Sequence, residues 1–215
     1  MTLPRLLDRI DAVARLLGAR RAALFLDIDG TLAPIAPRPG DAEVPSAVRD
    51  DLAALAEHLT VAVLTGRAVA DARRMVGVEA AVYVGNHGAE WWEDGHAAPA
   101  PEAAPYLPAL RALAQEAARR FPQRGGFVVE DKGASLSIHY RLAADPERAR
   151  ADALAFAREA GAPSGLRAFE GKMVVEARAP IDLSKGTALT RIAAERGVKA
   201  AAALGDDTTD VAMFT

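Results

Sequence analysis

The chain has 215 residues, 51% of them apolar and 26% charged, with a net charge of −3 and no cysteine. That excludes disulfides and thiolate metal sites, provides no basic excess for nucleic acid, and leaves no apolar run long enough to span a bilayer. The length suits one large domain or a core domain with a modest insertion. The opening stretch MTLPRLLDRIDAVARLLGARR carries acids and arginines at helical spacing instead of a signal peptide's continuous apolar core, so the cytoplasm is the default location. Leu6, Ile10, Val13 and Leu17 share one face of the expected helix.

The run Ala22–Leu26 is short and continuously apolar, as a strand buried on both faces should be. Pro45 and Ser46 open a helical pattern through Val48, Leu52, Leu55 and Leu59. TVAVLTGR (60–67) reads as a second buried strand, DARRMVG as a short helix closed at Gly77, and AAVYVGNHG (80–88) as a third strand. This alternation predicts a parallel sheet with crossover helices. EDGHAAPAPEAAPYLP reads as a Pro/Ala-rich linker. After it come a helix over Leu107–Arg120, strand-like runs GFVVEDK and ASLSIHYR, a helix from near Pro146, and further strand-like runs LRAFEG and KMVVEAR. Neighbouring strands with short turns predict an antiparallel sheet with helices, hence an α+β insert. The βα rhythm resumes at PIDLSKGTALTRIAAERG and ends on an expected buried strand, KAAAALGDD. The expected fold is α/β: a Rossmann-like parallel-sheet core in two parts, 1–103 and 179–215, interrupted by a cap over 104–178.

Ligands of open parallel sheets bind at the carboxyl ends of the strands. Three such ends here are polar, LDIDGT, LTGR and LGDDTTD, and DLSKG starts a helix with a lysine in its first turn. Together they supply carboxylates, a hydroxyl and a cation to one rim, which suits an anionic substrate with a hard divalent metal such as Mg²⁺. Each has an ordinary reading alone: a DxD as a cap or turn, TG as turn chemistry, Asp206 or Asp207 as a helix N-cap, Lys185 as a solvated lysine. At the ends of successive strands, in this order, those readings lose their force.

The four motifs DIDGT, LTGR, SKG and GDDTTD resemble those of haloacid dehalogenase-type (HAD) phosphatases, and the resemblance covers nearly the whole chain. It implies a HAD core with a C2-type cap, and Asp27 as a nucleophile that forms an aspartyl-phosphate. It implies Asp29 as general acid and then base, with Thr65 and Lys185 holding phosphoryl oxygens. Mg²⁺ would be held by Asp27, the Asp29 main-chain carbonyl, Asp206 and Asp207, with Asp210 nearby. Folds of this family continue beyond the fourth motif, so the C-terminal part of the core is expected to be missing from a chain that stops at DVAMFT.

A narrower resemblance concerns the substrate. GNHGAE, VEDKGASLSIHYR and GKMVVEARAP are similar to segments of trehalose-6-phosphate phosphatases, in which the insert closes over the disaccharide. This implies Glu130, Lys132 and Glu176 as sugar contacts, with His139, Arg141 and Lys172 as secondary ones. Gly66, Arg67, Asn86 and His87 are the expected substrate contacts from the core. The ordinary alternatives are a solvated hairpin turn for Glu130, Asp131 and Lys132, a half-buried strand residue for His139, and, against stacking of Trp91 and Trp92 on a sugar ring, core packing for one of them. The implied activity is Mg²⁺-dependent hydrolysis of trehalose 6-phosphate. The expected partner is a small-molecule sugar phosphate, with no nucleic acid and no membrane, and the expected state is a monomer. Two alternatives stand beside it: a HAD phosphatase for another sugar phosphate, and a catalytically silent sugar-phosphate-binding module. The second would call for a damaged first motif, and Asp27 and Asp29 are intact.

Overall fold

The structure is a computed structural model that describes residues 6–36 and 38–214. The start of the expected N-terminal helix, residues 1–5, lies outside the described residues. The chain divides into two compact units, one made by the chain up to Ala97 and from Leu183 onward, the other by Ala98–Asp182. No described helix is long and apolar enough to cross a membrane.

The first unit is organised on β1 (Ala22–Leu26), whose five residues are all buried. After α1 (Ile10–Leu17), the order is β1, α2 (Ser46–Ala56), β2 (Thr60–Leu64), α3 (Val69–Val76), β3 (Val82–Gly85), β4 (Glu90–Glu93) and β5 (His96–Pro99). The second unit then contributes α4 (Leu107–Arg120), β6 (Val128–Asp131), β7 (Ser135–His139), α5 (Pro146–Gly161), β8 (Arg167–Gly171) and β9 (Val174–Arg178), before α6 (Lys185–Arg196) and β10 (Ala200–Leu204) complete the first. The six-stranded sheet runs β10-β1-β2-β3-β4-β5, with β10, β1, β2 and β3 mutually parallel and β4 antiparallel to β3. Leu24, Leu26, Val61 and Val63 pack with Leu52, Ala72, Met75 and Val76 from α2 and α3. Alternation along the strands turns Phe25 and Leu64 to the opposite face, where both are also buried.

The chain leaves β1 in one direction, through β2 to β3, and later returns to the other side of β1 as β10. The strand order therefore reverses between β10 and β1, the place where an open α/β sheet leaves a crevice at its carboxyl edge. Leu26 is level with both Leu204 and Val63, so the residues that follow these strands emerge in one row. Asp27 N–H donates to Leu204 C=O at 3.0 Å and Thr65 N–H to Val84 C=O at 3.0 Å, which carries the ladder one residue past each strand.

Two expectations are corrected. The stretch after Trp92 does not begin as a linker: Asp94 and Gly95, at φ 49° and 83°, turn β4 into β5 with the two positive φ values that tight hairpins favour. Strand β10, expected to be buried, is only half-buried, because it pairs with β1 alone among the described strands. No residue of α1 is buried: Val13 and Leu17 are half-covered, Ile10 is exposed, and the Leu6 side chain lies outside the described residues.

In the second unit an antiparallel sheet, β6-β7-β9-β8, packs one face on α4 and α5. Leu136, Ile138, Val175 and Ala177 alternate toward Leu110, Leu113, Phe156 and Ala157. Asp145 caps α5 by accepting the Arg148 N–H at 3.0 Å, with Pro146 in the first turn, where its missing N–H costs nothing.

Tyr83 on β3 ties the end of α3 to the sheet. Its buried hydroxyl accepts the Val78 N–H at 3.0 Å and donates to the Val78 carbonyl at 2.8 Å. Tyr83→Phe would leave both groups of Val78 without that partner, and the expected loss is about 1–3 kcal/mol in urea or thermal unfolding. An unchanged midpoint would contradict this role.

Candidate active site

Four polar segments meet at the crevice between β10 and β1, and a buried lysine lies between two of their carboxylates. Ser184 caps α6, accepting the Thr187 N–H while Thr187 Oγ1 accepts the Ser184 N–H, so Lys185 is the first residue of the helix. A cation at a helix N-terminus is disfavoured by the helix dipole. Here Lys185, 2% exposed, has its Nζ 2.8 Å from Asp27 Oδ1 and 2.6 Å from Asp210 Oδ1. Burial pushes the Asp27 carboxyl up to about 6; the nearby Lys185 ammonium pulls against that rise and the Asp210 carboxylate adds to it.

Asp210 is fully buried and organises the loop after β10. Its second oxygen, Oδ2, accepts the N–H groups of Asp206 at 3.0 Å and Asp207 at 2.9 Å. That loop presents Asp206, whose carboxylate lies against the α-carbon of Gly30: a Cβ at Gly30 would fall 2.0 Å from Asp206 Oδ2. Gly30 also has φ 83°, so the first motif requires glycine for both space and conformation. Asp27, Asp206 and Asp210 each offer an oxygen within 4.8 Å of the others, a set of hard donors that could hold a divalent cation. Asp207 is not in this trio. It caps the short 3₁₀ turn Thr208–Met213, its Oδ1 accepting the Thr208 N–H at 2.6 Å.

Asp29 is held differently from Asp27. Arg67 Nε donates to its Oδ2 and Arg67 Nη2 to its Oδ1, both at 2.7 Å, while Arg67 Nη1 donates to Asp71 Oδ2 at 2.9 Å. Burial works against the Arg67 charge, but the two carboxylates outweigh it and hold the guanidinium protonated. Thr65 is buried, and its Oγ1 accepts the Arg67 N–H at 3.2 Å. Asn86 and His87 both adopt positive φ, and their N–H groups donate to the carbonyls of Arg67 and Thr65. The His87 ring occupies the space a Cβ at Gly66 would need, 2.5 Å from that position. Glu90 secures this turn from behind, its Oε2 accepting from the Val69 N–H at 2.7 Å and Asn86 Nδ2 at 3.1 Å. Trp91 is buried, donating from Nε1 to the Gly88 carbonyl, and Trp92 packs with the core, so neither is a free aromatic surface.

In the second unit, Glu130, Lys132 and Glu176 come together on the sheet face opposite the helices. Glu130, Ser137 and Glu176 are in cross-strand register on β6, β7 and β9. Lys132, 8% exposed, has its Nζ 3.3 Å from Glu176 Oε1 and 3.9 Å from Glu130 Oε2. A solvated turn is therefore the wrong description of Lys132. Ser137 Oγ donates to Glu176 Oε1 at 2.9 Å, Arg178 Nε donates to Glu176 Oε2 at 2.9 Å, and His139 Nε2 is 3.1 Å from Glu130 Oε2. Arg141 is half-buried and Lys172 is exposed.

Sequence reasoning missed Asp71, Glu90, Ser137 and Arg178 as parts of these networks. Asp71 follows Arg67 by four residues, a spacing that could have signalled the pair. Ser137 and Arg178 follow from strand alternation once Glu176 is placed on the polar face, and Glu90 gave no signal.

The family described as trehalose-phosphatase matches residues 25–215. A trehalose-phosphate phosphatase of Mycobacterium avium is 37% identical over 208 residues, covering 92% of this chain and 52% of that protein. A Mycobacterium tuberculosis protein named as an uncharacterized glycosyl hydrolase is 35% identical over 221 residues, covering 99% of this chain and 16% of that protein. The chain thus spans about half the length of the first and a small part of the second. The crystal structure of a trehalose-6-phosphate phosphatase related protein superposes with a TM-score of 0.75 at 25% identity, covering 89% of this chain and 81% of that one. With its four polar strand and helix ends gathered at the reversal point of a HAD-type sheet, the chain belongs to the trehalose-phosphatase family.

Proposed function

We propose that this chain is a phosphatase that hydrolyses trehalose 6-phosphate to trehalose and phosphate through an aspartyl-phosphate on Asp27. The observation that carries the reading is the buried Lys185 ammonium between Asp27 and Asp210, with Asp206 alongside, at the sheet's reversal point. A carboxylate approaching a phosphate dianion meets strong like-charge repulsion, and a cation fixed 2.8 Å from the nucleophile offsets it. The kinship with trehalose-phosphate phosphatases supports the choice of ester.

Asp27 attacks phosphorus, and the bond from phosphorus to the sugar oxygen breaks. Asp29 protonates the departing oxygen, then takes a proton from the water that attacks the phosphoenzyme, releasing phosphate and restoring Asp27. Arg67 grips both Asp29 oxygens, yet each carboxylate oxygen has a second lone pair for a proton. That supports Arg67 as the group that aims Asp29, in place of the substrate contact expected for it. The Thr65 hydroxyl accepts from the Arg67 N–H and keeps its own proton to donate to a phosphoryl oxygen. Glu130, Lys132 and Glu176 would read sugar hydroxyls.

The donor set fits Mg²⁺: all oxygen, with Asp206 seated over Gly30. Asp27, Asp206 and the Asp29 main-chain carbonyl would hold it, while Asp210, engaged by Lys185 and two N–H groups, orders the loop. Bound there, the metal would neutralise carboxylate charge and draw electron density from the phosphoryl group.

The direct test is phosphate release from a panel of sugar phosphates with Mg²⁺, beside Asp27→Asn. The expected result is a preference for trehalose 6-phosphate that the variant loses; equal activity on every ester would overturn the substrate, and an active variant the nucleophile. Arg67→Lys cannot make the bidentate grip and should lower kcat on the sugar ester by about 10²-fold. Its effect on the first-turnover release of p-nitrophenol from p-nitrophenyl phosphate, a leaving group that needs no proton, should be much smaller; an equal loss in that first turnover would argue against an aiming role.

Protonation of Asp27 supplies a metal test that needs no substrate. A carboxyl raised to about 6 favours the folded chain when protonated, and that contribution is lost as pH rises through about 6. Without metal, the melting temperature of the parent chain relative to Asp27→Asn should fall across that range. Added Mg²⁺ should restore it mainly above about 6, where no proton must be displaced. A Mg²⁺ effect that ignores pH would contradict Asp27 as a ligand.

A further inference from the structure

The sheet face of the second unit that carries Glu130, Lys132 and Glu176 also carries a large aromatic side chain with no assigned role. Phe169 on β8 is 41% exposed and stands in direct cross-strand register with Glu176. Its neighbour Ala168 turns the other way and packs with the helices, so Phe169 belongs to the polar face by alternation. It completes a row across the four strands, Glu130, Ser137, Glu176 and Phe169. Directly opposed side chains in such a row are near enough to touch one small ligand together.

The ring is held by its neighbours. The Arg178 guanidinium lies over it, 5.0 Å from the centroid, and Arg178 in turn donates to Glu176 Oε2. Glu176 Oε1 accepts from Ser137 and Lys132. One chain of contacts thus runs from a buried ammonium through a carboxylate and a guanidinium to the aromatic ring. An exposed phenylalanine needs no explanation by itself. One fixed by a guanidinium, beside a buried carboxylate and ammonium, has the form of a recognition site. Such sites combine apolar area with a few placed polar groups.

We propose that Phe169 is a stacking platform for the apolar face of a pyranose ring and a specificity residue of this phosphatase; this rests on the sugar-phosphate reading of the site. A pyranose presents hydroxyls around its edge and a patch of C–H bonds on its face. The hydroxyls suit Glu130, Lys132 and Glu176. The C–H bonds, slightly positive, suit the negative face of an aromatic ring. A phosphate ester with a short polar alcohol has no such face and gains nothing from Phe169.

The test compares the parent chain with Phe169→Ala, Phe169→Leu and Phe169→Tyr on the preferred sugar phosphate of the panel and on glycerol phosphate. Phe169→Ala should raise KM for the sugar ester by about 3–10-fold with kcat nearly unchanged, the size of one aromatic contact. Glycerol phosphate kinetics should not move. Phe169→Tyr should behave as the parent, and Phe169→Leu should resemble Phe169→Ala. An unchanged KM in Phe169→Ala, an equal loss on glycerol phosphate, or full rescue by leucine would each overturn the platform. A parent chain that does not prefer any sugar phosphate to glycerol phosphate overturns the proposed function before any variant is made, and the platform with it. If the preferred sugar is not trehalose, the substrate assignment falls, and Phe169 is judged on that ester by the same criteria.

Discussion

The buried ammonium of Lys185 is the constraint around which the first unit is arranged. Asp27 and Asp210 are both nearly or fully excluded from water, and two carboxylates so placed would repel each other. Lys185, standing within 2.8 Å of both, offsets that repulsion. Removing one partner from such a buried group is expected to cost about 3–5 kcal/mol, because the remaining charges lose their compensation. The lysine sits at the wrong end of a helix dipole, and the capping box of Ser184 and Thr187 fixes the helix start that aims it. Asp210 passes the order on: one oxygen holds Lys185 and the other gathers the N–H groups of Asp206 and Asp207, which sets Asp206 over Gly30.

Against this charge-dense centre, Asp29 shows how two carboxylates two residues apart take on different environments. Asp27 is buried against an ammonium, with its carboxyl pushed up to about 6. Asp29 is partly exposed and gripped by a guanidinium that Asp71 anchors from α3. In the proposed reaction one attacks and the other moves protons, and the different partners suit those roles. The second unit follows a different logic. Its sheet spends one face on an apolar core and the other on a polar row, so the same alternation that stabilises it also collects the side chains proposed to read a sugar.

Much of this was legible in the amino-acid sequence because the signals are local. The continuous apolar run of β1 and the Thr-Gly after β2 mark strands buried on both faces, and the alternation of ASLSIHYR marks a half-buried one. The Ser-Lys-Gly start of α6 and the DxD after β1 give the first motif and the lysine directly. What escaped depends on tertiary partners. The β4–β5 hairpin hides inside a stretch dominated by Pro and Ala, where Asp94-Gly95 was the one turn signal. The half-exposure of β10 follows from its place at the sheet edge, since AAAAL is as apolar as an interior strand. Lys132 looks solvated in the sequence because it follows Glu and Asp at a turn, yet Glu176, 44 residues on, draws it into a buried pair. Asp207 and Asp210 are equally acidic on paper, and the loop's own hydrogen bonds decide that one caps a turn while the other joins the charged centre.

If phosphate passes through Asp27, the phosphoenzyme can be trapped. The chain would be mixed rapidly with labelled trehalose 6-phosphate and Mg²⁺, quenched in acid within the first turnover, and digested for peptide mapping. A transient phosphoryl group should appear on the peptide that carries Asp27, before free phosphate, and be absent from Asp27→Asn. Phosphate release with no label on the protein at any time, or label on another residue, would contradict it.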